Sequence, residues 1–235
     1  MSQQKRVAIV TAASQGIGAA CARELAGQGY ETVLMARSEA ILRMAEELGG
    51  VALRGSVTDP SDLDRLVELA MKTHGRIDAV VNNTGHPARG ELLEISDQDW
   101  HEGLDLLLLS VVRLTRRVTP IMENQGGGAW VNISTAGAVE PSLSFPVSSA
   151  IRASLAAFTK LYADRYGASA IRMNNILPGF ADSYEVDAET LNTIPMGRPG
   201  SVAEMAQAVA FLVSTQSSYI TGQSLRLDGG MTRSL

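Results

Sequence analysis

A glycine-containing turn over residues 11–18 is the first stretch of the sequence whose residue types and spacing could do chemistry. It consists of Thr11, two alanines, Ser14, Gln15, Gly16, Ile17 and Gly18, between an apolar β-type run (residues 7–10) and apolar side chains at helical spacing. Glycines here let the backbone approach a pyrophosphate, and the amide end of the following helix favours an anion. The pattern indicates a dinucleotide-binding unit, although any α/β protein can contain a similar tight turn.

Arg37 follows the second apolar run, residues 31–36. An acidic residue at this place would accept hydrogen bonds from the ribose 2′-hydroxyl of NAD, whereas an arginine favours the 2′-phosphate of NADP. We therefore expect NADP(H) to be preferred over NAD(H). The alternative for Arg37 is a solvated side chain at the start of a helix.

These residues must be positioned by a regular alternation of strands and helices. Apolar β-type runs occur at 7–10, 31–36, 51–54, 77–82, 129–133, 171–176 and 224–227. After the helix that follows the glycine turn, helical patterns lie near 39–48, 60–74, 97–122, 146–166 and 201–213. The alternation predicts an α/β fold, a Rossmann-type doubly wound parallel sheet with helices on both faces. Ligands of such sheets bind beyond the carboxyl ends of the strands.

Composition narrows the class of protein. The 235 residues are 45% hydrophobic and 19% charged with no compositional break, which predicts a single domain over 1–235. The net charge of −5 and the pI near 5.3 argue against a nucleic-acid surface. Nothing reaches transmembrane length, and one cysteine allows no disulfide framework, so we expect a cytoplasmic protein with no membrane contact. The three histidines show no metal-ligand spacing, and no metal is expected.

Five signatures resemble, in order and spacing, those of the short-chain dehydrogenase/reductase family. They are the turn Thr11 to Gly18, Asn82-Asn83-Thr84-Gly85, Asn132-Ile133-Ser134-Thr135, Asn174 to Phe180 and Tyr219 to Gly230. The resemblance implies an NAD(P) site, a small-molecule substrate with a carbonyl or hydroxyl group, a lid at about 180–194, and a homodimer or homotetramer. The cofactor residues it implies are Thr11, Ser14, Gly16, Ile17, Gly18, Arg37, Asn83, Gly85, Pro178, Gly179 and Ser183.

The catalytic positions depart from the family pattern. Its serine aligns to Thr135, its tyrosine to Ser148, its lysine to Arg152 and its asparagine to Leu107. A serine hydroxyl is a far weaker acid than a phenol, and arginine stays protonated, so this pair cannot move a proton as a tyrosine and lysine do. Ser148 can still donate a hydrogen bond, and Arg152 can bind a ribose, an oxyanion or a carboxylate. The alternatives are a helix-end serine and a solvated arginine.

Two further residues could replace the missing acid. His86 directly follows the Asn-Asn-Thr-Gly signature, and Tyr184 lies in the lid segment. Both should face the substrate, although each could equally be an ordinary loop residue. We expect one of them, water or the substrate to supply the proton.

Three functional hypotheses follow from these residues. The first is an atypical NADP(H)-dependent reductase that keeps hydride transfer without the Tyr-x-x-x-Lys relay. The second is a catalytically inactive member that binds cofactor or acts as a scaffold. The third is a non-redox, dehalogenase-like enzyme on the same fold, suggested by Arg152; the retained Gly16 to Gly18 turn and the absence of a tyrosine at 148 speak against it.

Overall fold

A seven-stranded parallel sheet forms the centre of the protein, which we describe from a computed structural model over residues 5–234. The strands are β1 (Val7–Thr11), β2 (Glu31–Ala36), β3 (Val51–Arg54), β4 (Ala79–Asn82), β5 (Gly128–Ile133), β6 (Ile171–Pro178) and β7 (Ser224–Leu227). Their order is β3-β2-β1-β4-β5-β6-β7, so the order reverses between β1 and β4. The predicted doubly wound sheet is confirmed, and the switch point lies beside the glycine turn.

Eight α-helices of the described chain cover the two faces of the sheet. They are α1 (Gly16–Gly27), α2 (Ala40–Leu48), α3 (Pro60–His74), α4 (Asp97–Leu104), α5 (Ser110–Gln125), α6 (Pro146–Tyr166), α7 (Ala188–Thr193) and α8 (Val202–Val213). One apolar cluster packs α1, α2 and α8 against one face, and a second packs α3, α5 and α6 against the other. The strands are therefore buried on both sides, which explains their continuous apolar runs.

The predicted helix at 97–122 is the main difference from the sequence prediction. A π-helical segment (Asp105–Leu109) separates α4 from α5, and α5 continues to Gln125. A π segment keeps the helical spacing of apolar side chains, so the sequence pattern does not reveal it. Such segments occur frequently at functional sites, and this one borders the cleft described below.

Buried amides join the carboxyl-terminal half of the sheet to helix α6. Asn82, Asn132 and Asn175 are paired in register on β4, β5 and β6, and their side chains form a hydrogen-bonded row. Asn132 also donates to Thr159 of α6 at 3.1 Å, and Asn175 donates to Ser224 of β7 at 3.0 Å. Because buried amides must be satisfied, this row fixes α6 relative to the strand ends.

Candidate functional site

A cleft of about 2200 Å³ opens at the carboxyl ends of the strands. Its walls come from the glycine turn, the ends of β2 to β6, the π segment, the start of α6 and the lid. This is the edge at which ligands of such sheets bind. The predicted site residues in its lining are Ser14, Gly16, Ile17, Arg37, Asn83, Gly85, His86, Thr135, Ser148, Arg152, Pro178, Gly179, Ser183 and Tyr184.

The glycine turn is tied to the loop after β4. Thr11 does not line the cleft; its hydroxyl donates to the Asn83 carbonyl at 2.7 Å and accepts from the Asn83 amide at 3.0 Å. The Asn83 side chain donates to the carbonyl of Ala12 at 3.1 Å. Gly18 is buried beneath this junction. A Cβ added to Gly18 would lie within 3.0 Å of the Ala12 carbonyl oxygen and of the side-chain nitrogen Nδ2 of Asn83. Thr11 and Gly18 thus support the turn from below.

Helix α1 presents its amino end to the cleft. Its N-cap residue, Gln15, makes no side-chain capping hydrogen bond. Gly16 has φ +55, a conformation that favours glycine, and its neighbour across the cleft is Ser183, with Cβ 3.8 Å from a Cβ built at Gly16. Free amides at a helix start suit a pyrophosphate, so the cradle fits the dinucleotide predicted from the sequence.

Ala12 is the strained residue of this region. It has φ 45, and within the described chain only Ala170 shares a positive φ among non-glycine residues. The left-handed conformation is unfavourable for a residue with a Cβ, by roughly 1–2 kcal/mol. Ala12 replaces the first glycine of the family turn. The turn thus keeps its shape despite the alanine.

Arg37 and the loop after β3 form the far end of the cleft. Arg37 is exposed and lines the cleft. Its backbone carbonyl accepts a hydrogen bond from Arg54 Nε at 3.0 Å. Its guanidinium forms no ion pair with any described carboxylate. Asp59 is the N-cap of α3 and accepts a hydrogen bond from the Ser61 amide at 2.8 Å. A 2′-phosphate beside Arg37 would meet an unpaired cation.

Ser148 lies in the first turn of α6, half-buried and in the wall of the cleft. Its hydroxyl has no hydrogen-bond partner within residues 5–234. Thr135 also lines the cleft, but its Oγ1 accepts from the Gly137 amide at 3.4 Å and so caps a short 3-10 turn (Ala136–Ala138). Both hydroxyls can reach a bound molecule, and neither has the acidity of a phenol.

Arg152 is the most unusual group of the site. It is only 7% exposed, yet no described carboxylate lies within ion-pair distance of it. Its guanidinium donates to the Ile133 carbonyl and, at 3.5 Å, to Thr84 Oγ1. Burial lowers the pKa of Arg152 to about 10, so the group is still a cation at neutral pH. The interpretation of Arg152 as a solvated side chain is wrong.

Leu107 does not line the cleft. It is 1% exposed and packs with Val147 and Ile151 of α6 in a small apolar cluster. Gly103 makes the close approach of these helices possible, because a Cβ there would collide with Val147. The π segment is therefore present without a polar side chain at its centre.

His86 and Tyr184 meet across the cleft mouth. His86 Nε2 lies 2.9 Å from the Tyr184 hydroxyl, and their rings pack edge to face with centroids 5.7 Å apart. The pKa of His86 is lowered, first by partial burial and then by the positive charges of Arg152 and Arg89. The two predicted replacement acids are thus one hydrogen-bonded pair that connects the lid to the loop after β4.

The lid begins where β6 ends. Gly179 donates its amide to Leu227 at 3.1 Å, and a Cβ on it would lie 3.0 Å from Asp228. Residues 180–187 then cross the cleft, and α7 completes the predicted lid segment. Asp182 accepts from the Val202 amide at 2.9 Å, which anchors the lid to α8.

Sequence reasoning missed two residues of the cleft, Arg89 and Ser134. Arg89 lies over the ring of Phe145 with 4.6 Å between guanidinium carbon and ring centroid. Ser134 is 7% exposed, lines the cleft, and its hydroxyl has no partner among the described residues. Strand alternation could have placed Ser134 on the α6 side of the sheet, with Asn132.

Within residues 5–234, no group of three or more histidine, cysteine, aspartate or glutamate side chains could hold a metal ion. No described helix is long and apolar enough to cross a membrane.

Comparison with known proteins agrees with the fold. Residues 11–232 match the family model described as enoyl-(acyl carrier protein) reductase. The chain belongs to the short-chain dehydrogenase/reductase family.

Among its relatives is the 3-oxoacyl-[acyl-carrier-protein] reductase FabG of Salmonella typhimurium, 33% identical over 241 residues, with 98% of this chain and 99% of the relative covered. The oxidoreductase UcpA of the same organism is 32% identical over 248 residues, covering 97% and 94%. A solved structure described as YwfH, an NADPH-dependent reductase involved in bacilysin biosynthesis, superposes with a TM-score of 0.93 at 26% identity and covers 98% of this chain and 100% of that one.

Proposed function

We propose that this protein is an atypical NADP(H)-dependent reductase of a small molecule with a carbonyl or hydroxyl group, and that it works without the Tyr-x-x-x-Lys proton relay. The observation that supports the proposal is the buried Arg152, which has no ion-pair partner among the described residues and lies one helical turn after Ser148 in α6. By the family resemblance, these two residues stand at the lysine and tyrosine positions. Relatives described as reductases, one of them NADPH-dependent, support hydride transfer as the reaction class.

The cofactor would lie along the glycine turn. Gly16, Ile17 and the free amides of α1 would bind its pyrophosphate, and Arg37 its 2′-phosphate. Asn83 and Gly85 would border its middle portion, and Pro178, Gly179 and Ser183 would border the nicotinamide end. Bound NADPH supplies the hydride.

The protein's own contribution to the chemistry is positioning and charge. Ser148 would donate a hydrogen bond to the substrate oxygen, with Thr135 beside it. Arg152, which is fixed by the Ile133 carbonyl, would stabilise negative charge on the bound substrate without giving up a proton. The proton would then come from the His86 and Tyr184 pair, from water or from the substrate.

Assembly into a homodimer or homotetramer is part of the proposal, as is a cytoplasmic location, which follows from the composition. Helix α6 carries apolar surface beyond the core, since Leu161 is 68% exposed, and Leu106, Leu108 and Leu109 of the π segment are only partly buried. Paired helices of two copies would cover such a surface under two-fold symmetry. Light scattering should give a dimer or tetramer at micromolar concentration, and a monomer would contradict this.

Calorimetric titration with NADPH and NADH tests the cofactor. If Arg37 binds the 2′-phosphate, NADPH should bind more tightly by about 1–3 kcal/mol, the contribution of one charge-assisted contact. Arg37→Ala should remove this difference, and Arg43→Ala, which changes an exposed arginine outside the cleft, should leave it intact. Equal affinity for both cofactors in the unchanged protein would contradict the assignment.

Turnover separates the proposal from its two alternatives. Oxidation of NADPH in the presence of a carbonyl panel, with deuteride from labelled NADPH recovered in the product, would support a reductase. Tight NADPH binding with no transfer to any carbonyl would favour the inactive binding or scaffold protein. The absence of binding to either dinucleotide would favour the dehalogenase-like alternative.

A further inference from the structure

We infer that the substrate is an organic acid, whose carboxylate binds in the cleft between Arg152, Arg89 and Ser134. The inference rests on the proposed reductase function and adds the substrate class to it. It depends on two cations without an ion-pair partner and on one hydroxyl without a hydrogen-bond partner among the described residues.

Arg152 provides the buried part of this subsite. A guanidinium that is 93% removed from solvent is stable only when its charge is compensated, and the described chain offers it a carbonyl and a hydroxyl but no carboxylate. The two N–H edges of a guanidinium match a carboxylate geometrically. A bound carboxylate would supply the missing negative charge.

Arg89 provides a second cation in the same cleft. Its position over Phe145 holds the guanidinium at the wall, and no described carboxylate pairs with it. Both arginines act on His86, because the positive charge of each disfavours protonation of that imidazole. His86 therefore lies within the field of both guanidiniums.

Ser134 is an independent observation that points to a ligand. Its hydroxyl is buried at the end of β5, in the cleft wall, and no described group bonds it. A buried hydroxyl without a partner is unfavourable by roughly 1–3 kcal/mol, and a carboxylate oxygen would accept its hydrogen bond.

The acidic residues of the cleft do not neutralise these cations. Asp105 pairs with Arg113 at 2.5 Å, Glu140 accepts from the Arg233 amide at 2.8 Å, and Glu102 accepts from Gln98 at 2.8 Å. Glu185 is exposed on the lid. None of these carboxylates forms an ion pair with Arg152 or Arg89, so within the described residues the counter-charge of both guanidiniums is missing.

Matched pairs of oxo acids and their methyl esters test the inference. Pyruvate, 4-oxopentanoate and 5-oxohexanoate differ in the distance from carbonyl to carboxylate, and each methyl ester replaces the charge with a methyl group. Calorimetry with the protein saturated in NADP⁺, which has no hydride to donate, should show at least one acid binding about tenfold tighter than its ester. Equal affinity within every pair, or no acid binding at millimolar concentration, would overturn the inference.

Arg89→Gln is the informative variant. It should weaken the preferred acid about fivefold to tenfold and leave the ester unchanged. The matched control is Arg165→Gln, which changes another exposed arginine stacked on an aromatic ring, at the far end of α6. Arg152→Lys should also lower the affinity for the acid relative to its ester. Because lysine keeps a positive charge at this buried position, the test needs no uncharged residue there.

Two further measurements separate this inference from the function on which it rests. If the acid competes with NADPH, it occupies the phosphate site and the inference is wrong. If NADPH fails to bind, the reductase proposal is wrong, and the same acid and ester pairs titrated into the free protein still decide whether the anion subsite exists.

Discussion

The cleft has two halves, named here for the strands beside them, and they offer different groups to an anion. The β1 half offers backbone amides, and the β5 half offers a buried guanidinium. On the β1 side, the glycine turn presents backbone amides beside a loop fixed by Thr11 and Asn83, and Gly18 leaves no room for a side chain. On the β5 side, a cationic side chain is buried without an ion-pair partner among the described residues. Under the proposed function, the β1 side would hold the dinucleotide and the β5 side would act on the substrate, so variants can test the two roles separately.

The largest effect should come from restoring the proton relay. A general acid contributes about 10²–10⁴-fold in rate, so the unchanged protein should reduce simple ketones very slowly. Ser148→Tyr with Arg152→Lys should raise that rate, though not fully, because a phenol must enter a wall shaped for a serine and Leu107 provides no polar group.

Initial rates of NADPH oxidation with a simple ketone measure this change. Ser154→Tyr, on an exposed face of the same helix, is the control and should change nothing. Rapid reduction by the unchanged protein would mean that a replacement acid already operates.

The β1 half should fail when the glycine turn is filled. Gly18→Ala puts a Cβ within 3.0 Å of the Ala12 carbonyl and the Asn83 side chain, and backbone cannot yield as a flexible side chain does. NADPH affinity should fall by about two orders of magnitude, roughly 2.7 kcal/mol. Gly27→Ala, in the same helix with no atom within 4 Å, should leave affinity intact. Calorimetric titration of both variants with NADPH measures this difference. Equal NADPH affinities in the two variants would contradict the role given to Gly18.

The sequence predicted the fold well because alternating apolar runs directly reflect strands buried between two layers of helices. Helix α6 and strand β7 have the predicted bounds, and the first strand gains only Thr11. The π segment was not predictable, since it changes backbone hydrogen bonds without changing which side chains are apolar. Helix α7 was missed because its six residues are too few for a hydrophobic period.

The site was predictable only in part for a similar reason. Signatures identified Arg152 and Ser148, but their burial depends on packing between α6 and the strand ends. The hydrogen bond of His86 to Tyr184 joins residues 98 positions apart, through a lid with no periodic pattern. Arg89 has no local signal, and its position follows from Phe145, 56 residues later (145 − 89 = 56).

A pH profile sharpens the comparison on the β5 side. Burial and two nearby guanidiniums lower the pKa of His86 below its ordinary value of 6.5. If His86 donates the proton, kcat/KM should decline as pH rises, with a midpoint below 6.5 and about tenfold per unit above it, because only the imidazolium is the donor. His86→Asn should flatten this profile. A rate that is constant from about pH 5 to 8 in the unchanged protein would exclude His86 as the donor.

The smallest effect concerns the strain in the turn itself. Ala12 and Ala170 both have positive φ, 45 and 56, but only Ala12 lies in the cleft. Replacing either with glycine relieves the left-handed strain and loosens the unfolded chain, for a net stabilisation of about 0.5–1 kcal/mol. Urea denaturation should show a similar gain for Ala12→Gly and Ala170→Gly.

NADPH titration of the two alanine variants tests whether the Ala12 methyl group contacts the cofactor. Ala12→Gly removes a methyl group from the wall that faces the dinucleotide, so NADPH should bind equally well or slightly better, whereas Ala170→Gly, exposed beyond α6, should leave affinity unchanged. If Ala12→Gly instead weakened NADPH binding while Ala170→Gly did not, the methyl group would itself be a cofactor contact. The β1 half would then bind the cofactor partly through a side chain. It would no longer differ from the β5 half by relying on backbone groups alone.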